Sequence, residues 1–174
     1  MQRFYFCPRC GGRLKDVGQS LKTKAGEKVR KRLKCSSCGR ILYENPIVGV
    51  AAILLDGDSI LLARRKGTFS GQWCIPCGYV EYDEDVREAA KREFWEETGL
   101  EVEIREVFDV HSNFHDPECH TVGIWFLADC IGGELRPGDD VSEVSFFPLK
   151  NLPGEIAFPT DRLVLDKLKK SVCK

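Results

Sequence analysis

At 174 residues the chain has room for one ordinary domain and a small accessory module, and its 43% hydrophobic content is enough for a packed core. The longest apolar run, Ile47 to Leu55, is too short to span a membrane, and Gln2 and Arg3 begin no apolar signal region, so the expected address is the cytoplasm with no membrane partner. Net charge is −1 but uneven: residues 1–44 carry twelve Lys/Arg against three Asp/Glu, and residues 45–174 carry fourteen against twenty-four. No Ser- or Gly-rich linker intervenes, so that asymmetry sets the expected boundary between a small basic domain (1–44) and a larger acidic one (45–174).

Nine cysteines, an odd number with several in close pairs, favour metal binding in a reducing compartment over a disulfide framework. Cys7-Pro-Arg-Cys10 and Cys35-Ser-Ser-Cys38 are two CxxC knuckles, each followed by glycine. In a knuckle the tight turn aims both sulfurs at one ion, and glycine supplies the left-handed backbone that follows. Four thiolates make a closed tetrahedral zinc site with no position for water, so the zinc is structural and supplies folding energy that so short a segment lacks. A disulfide pair is the alternative. The 24 residues between the knuckles suit a hairpin and include a basic arm, Lys22, Lys24, Lys28, Arg30, Lys31, Arg32 and Lys34. Such an arm can meet nucleic acid. The zinc thiolates offset part of its charge, however, and it lacks interleaved aromatics for stacking bases. The favoured reading is therefore a solvated hairpin that packs on the larger domain or supports a homodimer.

From Pro46 short strands and turns alternate. Ile47–Leu55 reads as a buried strand, Asp56-Gly57-Asp58 as a hairpin turn and Ser59–Arg65 as the returning strand. A helix is expected over Glu84–Thr98, with Asp83 as N-cap and Gly99 at the C-terminus. Val86, Ala89, Ala90 and Phe94 form its apolar stripe, yet Glu93 and Glu97 project into the middle of that stripe and Glu96 sits on its edge. Two like charges about 5 Å apart repel by roughly 3 kcal/mol at an effective dielectric near 20. The simplest neutraliser is a hard divalent cation, which prefers carboxylate oxygens and suits phosphate substrates. The alternative is a solvated acidic helix. Apolar stretches follow near Glu101–Val110, Val122–Cys130 and Val144–Phe147, and Pro159–Lys170 has helical spacing. The fold class is α/β, a mixed sheet flanked by helices.

The segment around the helix resembles the Nudix box at every fixed position: Gly78, Glu84, Arg92, Glu93, Phe94, Glu96, Glu97, Gly99 and Leu100. A match at nine positions is far more specific than a lone glycine loop. The resemblance to Nudix hydrolases implies an α/β/α sandwich in which the box binds Mg²⁺ (or Mn²⁺) and activates water against a diphosphate linkage. It implies Glu93, Glu97 and Glu96 as ligands with the Gly78 carbonyl, Arg92 as the group orienting a catalytic carboxylate, and Glu84 in the same network. Arg64, Arg65 and Lys66 are candidates for the substrate phosphates, with solvated strand-end charge as the alternative. Several similar enzymes take a general base from a later loop, where this chain has Asp139, Asp140 and Glu143; Glu143 is the choice, against an ordinary acidic turn.

Cys77 and Asp83 depart from common family glycines outside the fixed box. Cys74 and Cys77 form a third CxxC, read as two cysteines filling space at strand ends over a redox pair. His111, His115, Cys119 and His120 lack tight ligand spacing and read as a pocket rim. Trp73, Phe114 and Phe158 can stack on a base or belong to the core, Phe158 being the substrate-binding candidate. No Ser-Gln-Pro-Trp tract of the NADH pyrophosphatases follows Leu100. The chain is instead similar to zinc-ribbon members that cleave ADP-ribose or FAD, supported mildly by Pro117 and by Ile156-Ala-Phe-Pro-Thr. The expected activity is Mg²⁺-dependent hydrolysis of a nucleotide diphosphate, ADP-ribose or FAD, with release of AMP. The alternatives are a nucleic-acid-binding or ligand-sensing module, or hydrolysis of NADH or capped RNA.

Overall fold

The computed structural model describes residues 4–24 and 26–172 and divides into two units, Met1–Asn45 and Pro46–Lys174. In the first unit, β1 (Leu14–Thr23) and β2 (Gly26–Cys35) pair antiparallel from Leu14↔Cys35 to Thr23↔Gly26. A short β3 (Ile41–Leu42) adds to the β2 edge through Leu33↔Leu42 and Lys34↔Ile41. The predicted basic arm thus lies on a hairpin; the side chains of Lys22, Lys28 and Arg30 fall outside the described set. Among the described residues the core of this unit is small: Cys7, Leu14 and Cys35 are buried, with Leu33 and Leu42 packed against them.

The second unit is built on a sheet ordered β10 (Val141–Pro148), β5 (Ser59–Arg65), β4 (Ile47–Asp56), β9 (Thr121–Gly133) and β8 (Leu100–Asn113), with β6 (Trp73–Cys74) on β5 and β7 (Cys77–Tyr79) on β4. Its centre is β4 (Ile47–Asp56), the predicted apolar run. A strand covered on both faces needs no polar alternation, and here the two faces diverge cleanly. Val50, Ala52 and Leu54 join one apolar cluster with Ala89, Ala90 and Phe94, whereas Ala51 and Ile53 join another with Val164, Leu165 and Leu168. Those two sets of partners belong to α1 (Val86–Thr98) and α2 (Pro159–Val172). Helices therefore cover both faces of the sheet, the α/β/α sandwich expected from the sequence.

Three features of topology open a cleft beside α1. Strand β5 (Ser59–Arg65) pairs with β4 only at Leu55↔Ile60 and Asp56↔Ser59, around the turn that Gly57 closes with φ 58°. The two strands then part. Their facing edges are taken by β6 (Trp73–Cys74), at Ala63↔Cys74, and by β7 (Cys77–Tyr79), at Gly49↔Tyr79 through Ala51↔Cys77. On its other side β4 runs parallel to β9 (Thr121–Gly133), which pairs antiparallel with the long β8 (Leu100–Asn113). The far edge is β10 (Val141–Pro148), on β5.

The helix start differs from the expectation. Asp85, not Asp83, is the N-cap: its backbone is extended (φ −71°, ψ 138°) and its carboxylate accepts the Arg87 N–H at 2.8 Å. Glu84 lies outside the helix because its carboxylate is taken by Arg92 and by the Glu81 N–H. Gly99 closes α1 as expected, with φ 72° and its N–H on the Trp95 carbonyl.

Candidate active site

Within α1, Glu93 and Glu97 are four residues apart, one above the other on the face that also carries Ala90 and Phe94. Glu97 is 2% exposed, and among the described residues it accepts one hydrogen bond, from the Cys77 N–H at 2.9 Å. Burial pushes its carboxyl up to about 8, and the nearby Asp140 adds to the rise. Burial also raises Glu93, against the pull of Arg92. Glu93 lies directly over Gly78 on β7: a Cβ at Gly78 would come within 1.9 Å of its carboxylate carbon. Gly78→Ala is therefore expected to swing Glu93 out of place. For a divalent cation held by these acids, the affinity measured by calorimetric titration should weaken about 10–100-fold, the range for lost ligand support. An unchanged value would show that Glu93 need not sit there.

Arg92 is the hub beneath these acids. Its Nε and Nη2 form a two-pronged contact with Glu84, both at 2.8 Å, and Nη2 also donates to the Tyr79 carbonyl. Nη1 meets Glu93 at 2.7 Å and Glu96 at 3.1 Å. The Arg92 hydrogen bonds hold Glu84 below the usual carboxylate range. One guanidinium thus fixes three carboxylates and one backbone carbonyl, while Glu97 has no cation within hydrogen-bonding reach among the described residues. Neither Arg92, Glu84 nor Glu96 lines the cleft; they hold what does.

The cleft encloses about 600 Å³ and is lined by Glu93, Glu97, Gly78, Asp139, Asp140 and Arg65, with an aromatic wall of Phe69, His115 and Phe158. Among the described residues Arg65 is the one Lys or Arg in that lining. It pairs with Asp140 at 2.8 Å, donates from Nε to the Thr68 carbonyl and lies 5.4 Å from the centre of the Phe158 ring. Arg64 and Glu143 are not brought to the cleft. Successive residues of β5 face opposite sides, so Arg64 turns away from Arg65 and pairs with Glu143 at 3.4 Å on an exposed surface. A register shift between Val141 and Glu143 leaves Asp139 and Asp140, from the preceding loop, as the acids that reach the site. Lys66 caps that loop, donating from Nζ to the Asp139 carbonyl.

Two cleft residues carried no signal in the sequence. Phe69 has φ 62°, a left-handed backbone that a bulky residue adopts only under constraint. That backbone sets its ring 5.4 Å from Phe158 and 5.6 Å from His115, edge to face. Asp161 resembles an ordinary first-turn acid of α2, but it is 1% exposed and accepts from the Ile75 N–H and Trp125 Nε1, both at 3.0 Å. Burial pushes it up to about 7. Of the other aromatics, Trp73 packs edge-on against Phe147 and Phe114 is exposed.

The remaining cysteine and histidine motifs separate. The four ribbon sulfurs lie within 4.8 Å of one another, with Cys7–Cys38 at 3.8 Å and Cys10–Cys35 at 3.6 Å. A zinc tetrahedron with bonds of about 2.3 Å has edges of about 3.8 Å, so the four sulfurs fit that ion. The Cys38 N–H, helped by that of Ser37, holds the Cys35 thiol down to about 6 against burial, whereas, against the Gly12 backbone hydrogen bond, the Cys38 and Cys35 sulfurs push Cys10 up to about 11. Cys74 is fully buried beside Ala63, Val141 and Ala157, and its sulfur together with burial pushes the Cys77 thiol well up. No other His/Cys/acid group among the described residues converges as the ribbon cysteines do. His115 lines the cleft, whereas His111 and His120 lie edge-on against Trp125 and Phe114. No described helix is long and apolar enough to cross a membrane.

Comparison with known proteins agrees with this architecture. Residues 45–168 match the NUDIX domain family and residues 5–44 match the Nudix N-terminal family. The ADP-ribose pyrophosphatase of Methanocaldococcus jannaschii is 42% identical over 130 residues, covering 74% of this chain and 76% of that protein. The NAD-capped RNA hydrolase of Chromobacterium violaceum is 30% identical over 69% of this chain, which spans only 44% of that protein's length. The crystal structure of a NUDIX hydrolase from Nitrosomonas europaea superposes with a TM-score of 0.76 at 32% identity, over 97% of this chain and 90% of that one. With its ribbon of four clustered cysteines and its acid-lined cleft, the chain belongs to the Nudix hydrolases.

Proposed function

We propose that the chain hydrolyses the diphosphate bond of ADP-ribose, adding water to release AMP and ribose 5-phosphate. The carrying observation is Glu97, a buried acid with no paired cation among the described residues, set beside Glu93 in a cleft that Phe69, His115 and Phe158 also line. The likeness to the M. jannaschii enzyme supports ADP-ribose as the substrate. FAD has the same AMP–diphosphate half and is the second candidate.

The donor set fits a hard divalent cation, Mg²⁺ or Mn²⁺: carboxylates of Glu93 and Glu97 with the Gly78 carbonyl, all oxygen, while Glu96, expected as a third ligand, is held by Arg92 outside the cleft lining. Such an ion, when bound, polarises phosphoryl oxygens and makes bound water a better nucleophile. The chain's own groups do the rest. Arg92 and Glu84 fix the angle of Glu93 and Glu96. Arg65 is placed to meet a phosphate, which would compete with Asp140 for its guanidinium and free that carboxylate. Asp140 then takes the proton from the attacking water, a role reassigned from Glu143 because Glu143 faces away. Phe69, Phe158 and His115 hold the nucleoside end. Four ribbon thiolates hold zinc as a structural ion with no open position for water.

Two measurements test this. The purified protein with Mg²⁺ is given ADP-ribose, FAD, NADH and NAD-capped RNA, and products are separated by chromatography. AMP from ADP-ribose at the highest kcat/KM is expected. A higher kcat/KM on the capped RNA would move the chain to the activity of its 30%-identical relatives. Asp140→Asn should lower kcat about 10²–10⁴-fold, the usual worth of general-base catalysis, and Glu143→Gln should lower it less than about twofold. The reverse order would restore Glu143 as the base.

A further inference from the structure

We infer that the open face of the ribbon sheet binds single-stranded nucleic acid, stacking bases on Phe6 and Tyr43 and holding phosphates with Arg13, Lys15, Arg32 and Lys34. Partners across an antiparallel pair share a face, and alternate residues along a strand take opposite faces. Leu14, Leu33, Cys35 and Leu42 therefore share one face, and the buried cluster beside the cysteine site confirms it. The opposite face takes the Phe6↔Arg13 bridge and the pairs Lys15↔Lys34 and Val17↔Arg32. Tyr43 joins that face, with the Arg32 guanidinium 5.1 Å from its ring centre.

The charge on the two faces is segregated. Asp16 is on the cluster's face, paired there with Lys31 at 3.8 Å. The alternate register positions of the open face, Arg13 to Thr23 and Lys28 to Lys34, include no Asp or Glu. Lys15 and Lys34 stand directly opposite each other, an arrangement that costs stability unless an anion lies over it. Phe6 is 60% exposed and Tyr43 53%, one at each edge of the basic strip. The basic arm has no aromatic residue in sequence; the sheet supplies two from outside it. A polyanion with flat bases matches both features, since stacking tolerates any base and the strip tracks the backbone.

The test uses the zinc-loaded 174-residue chain and fluorescence anisotropy with end-labelled single strands of about 12 nucleotides, within the usual site sizes. RNA and DNA strands of one sequence separate the two sources. Binding should fall with salt along a log–log slope of about −2 to −3, as about 0.7 per phosphate contact predicts for four cations. Tyr43→Ala should weaken it roughly tenfold. Arg13→Glu with Lys15→Glu should abolish it while zinc content and ADP-ribose turnover stay at the parent level. Absent binding at low salt, or binding that ignores these substitutions, would overturn the inference. So would substitutions that leave nucleic acid unbound and instead change the molar mass by light scattering, which would make the face a contact between copies of the chain.

Discussion

Glu97→Gln is expected to lose turnover and, in a chelator at alkaline pH, to melt at a higher temperature than the parent. The two effects have one cause. Glu97 is 2% exposed and its carboxyl is pushed up to about 8 from an ordinary value of 4.5. A group whose folded-state pKa exceeds its unfolded one favours the fold fully below the unfolded value. That contribution is lost as pH rises through the folded value. The metal-free parent should therefore weaken between about pH 4.5 and about pH 8, at about 1.4 kcal/mol per unit of difference. Glutamine keeps a carbonyl for the Cys77 N–H and has nothing to ionise, so it escapes that loss. At a few kcal/mol, and roughly 2–4 °C per kcal/mol for a chain of this size, the variant should gain about 10 °C near pH 9 and little near pH 5. Added Mg²⁺ should raise the melting point of the parent and leave the variant unmoved. The kcat loss should be on the order of 10²–10³-fold, as for removal of one strong charge-stabilising group. Full activity in the variant, or an equal Mg²⁺ shift in both proteins, would overturn the proposal that Glu97 binds the cation.

The acids of α1 were legible because they violate the helix's own pattern. A carboxylate at a stripe position beside Phe94 has no structural use, so the sequence alone marks Glu93 and Glu97. The long apolar run of β4 was equally plain, since only a strand covered on both faces can be apolar throughout. What escaped depended on contacts between distant segments. The N-cap moved from Asp83 to Asp85 because Arg92, eight residues on, draws Glu84 out of the first turn. Asp140 and Glu143 are equivalent on paper, and only the register shift at the start of β10 decides which one reaches the cleft. The two- and three-residue strands β6 and β7 are too short to carry a period, yet they place Cys77 and Gly78 against α1. Phe69 is a loop aromatic until its left-handed backbone is seen.

Cys35→Ser should release the zinc and unfold the ribbon unit while leaving the catalytic unit folded. Among the described residues, Cys7, Leu14 and Cys35 are the buried apolar side chains of the ribbon, with Leu33 and Leu42 partly covered. Burying a leucine yields about 1.5–3 kcal/mol. Ordering a residue costs about 1–2 kcal/mol, so a segment of this size cannot fold on such a core. Zinc on four thiolates supplies about 10–16 kcal/mol in comparable small domains, which makes metal binding and folding one event. Serine removes a ligand, and it also removes the sulfur that accepts the Ser37 and Cys38 N–H bonds at 3.4 and 3.5 Å, the contacts that shape the second knuckle. The catalytic unit has its own two clusters under α1 and α2, drawn among the described residues from positions between Val50 and Leu168. The expected variant thus contains no stoichiometric zinc by atomic absorption, is cut by protease within residues 4–45, and still shows the melting transition of the larger unit. Zinc retained at one equivalent with a protease-resistant ribbon would show that three cysteines suffice. Collapse of both transitions together would show instead that the larger unit needs the ribbon to fold.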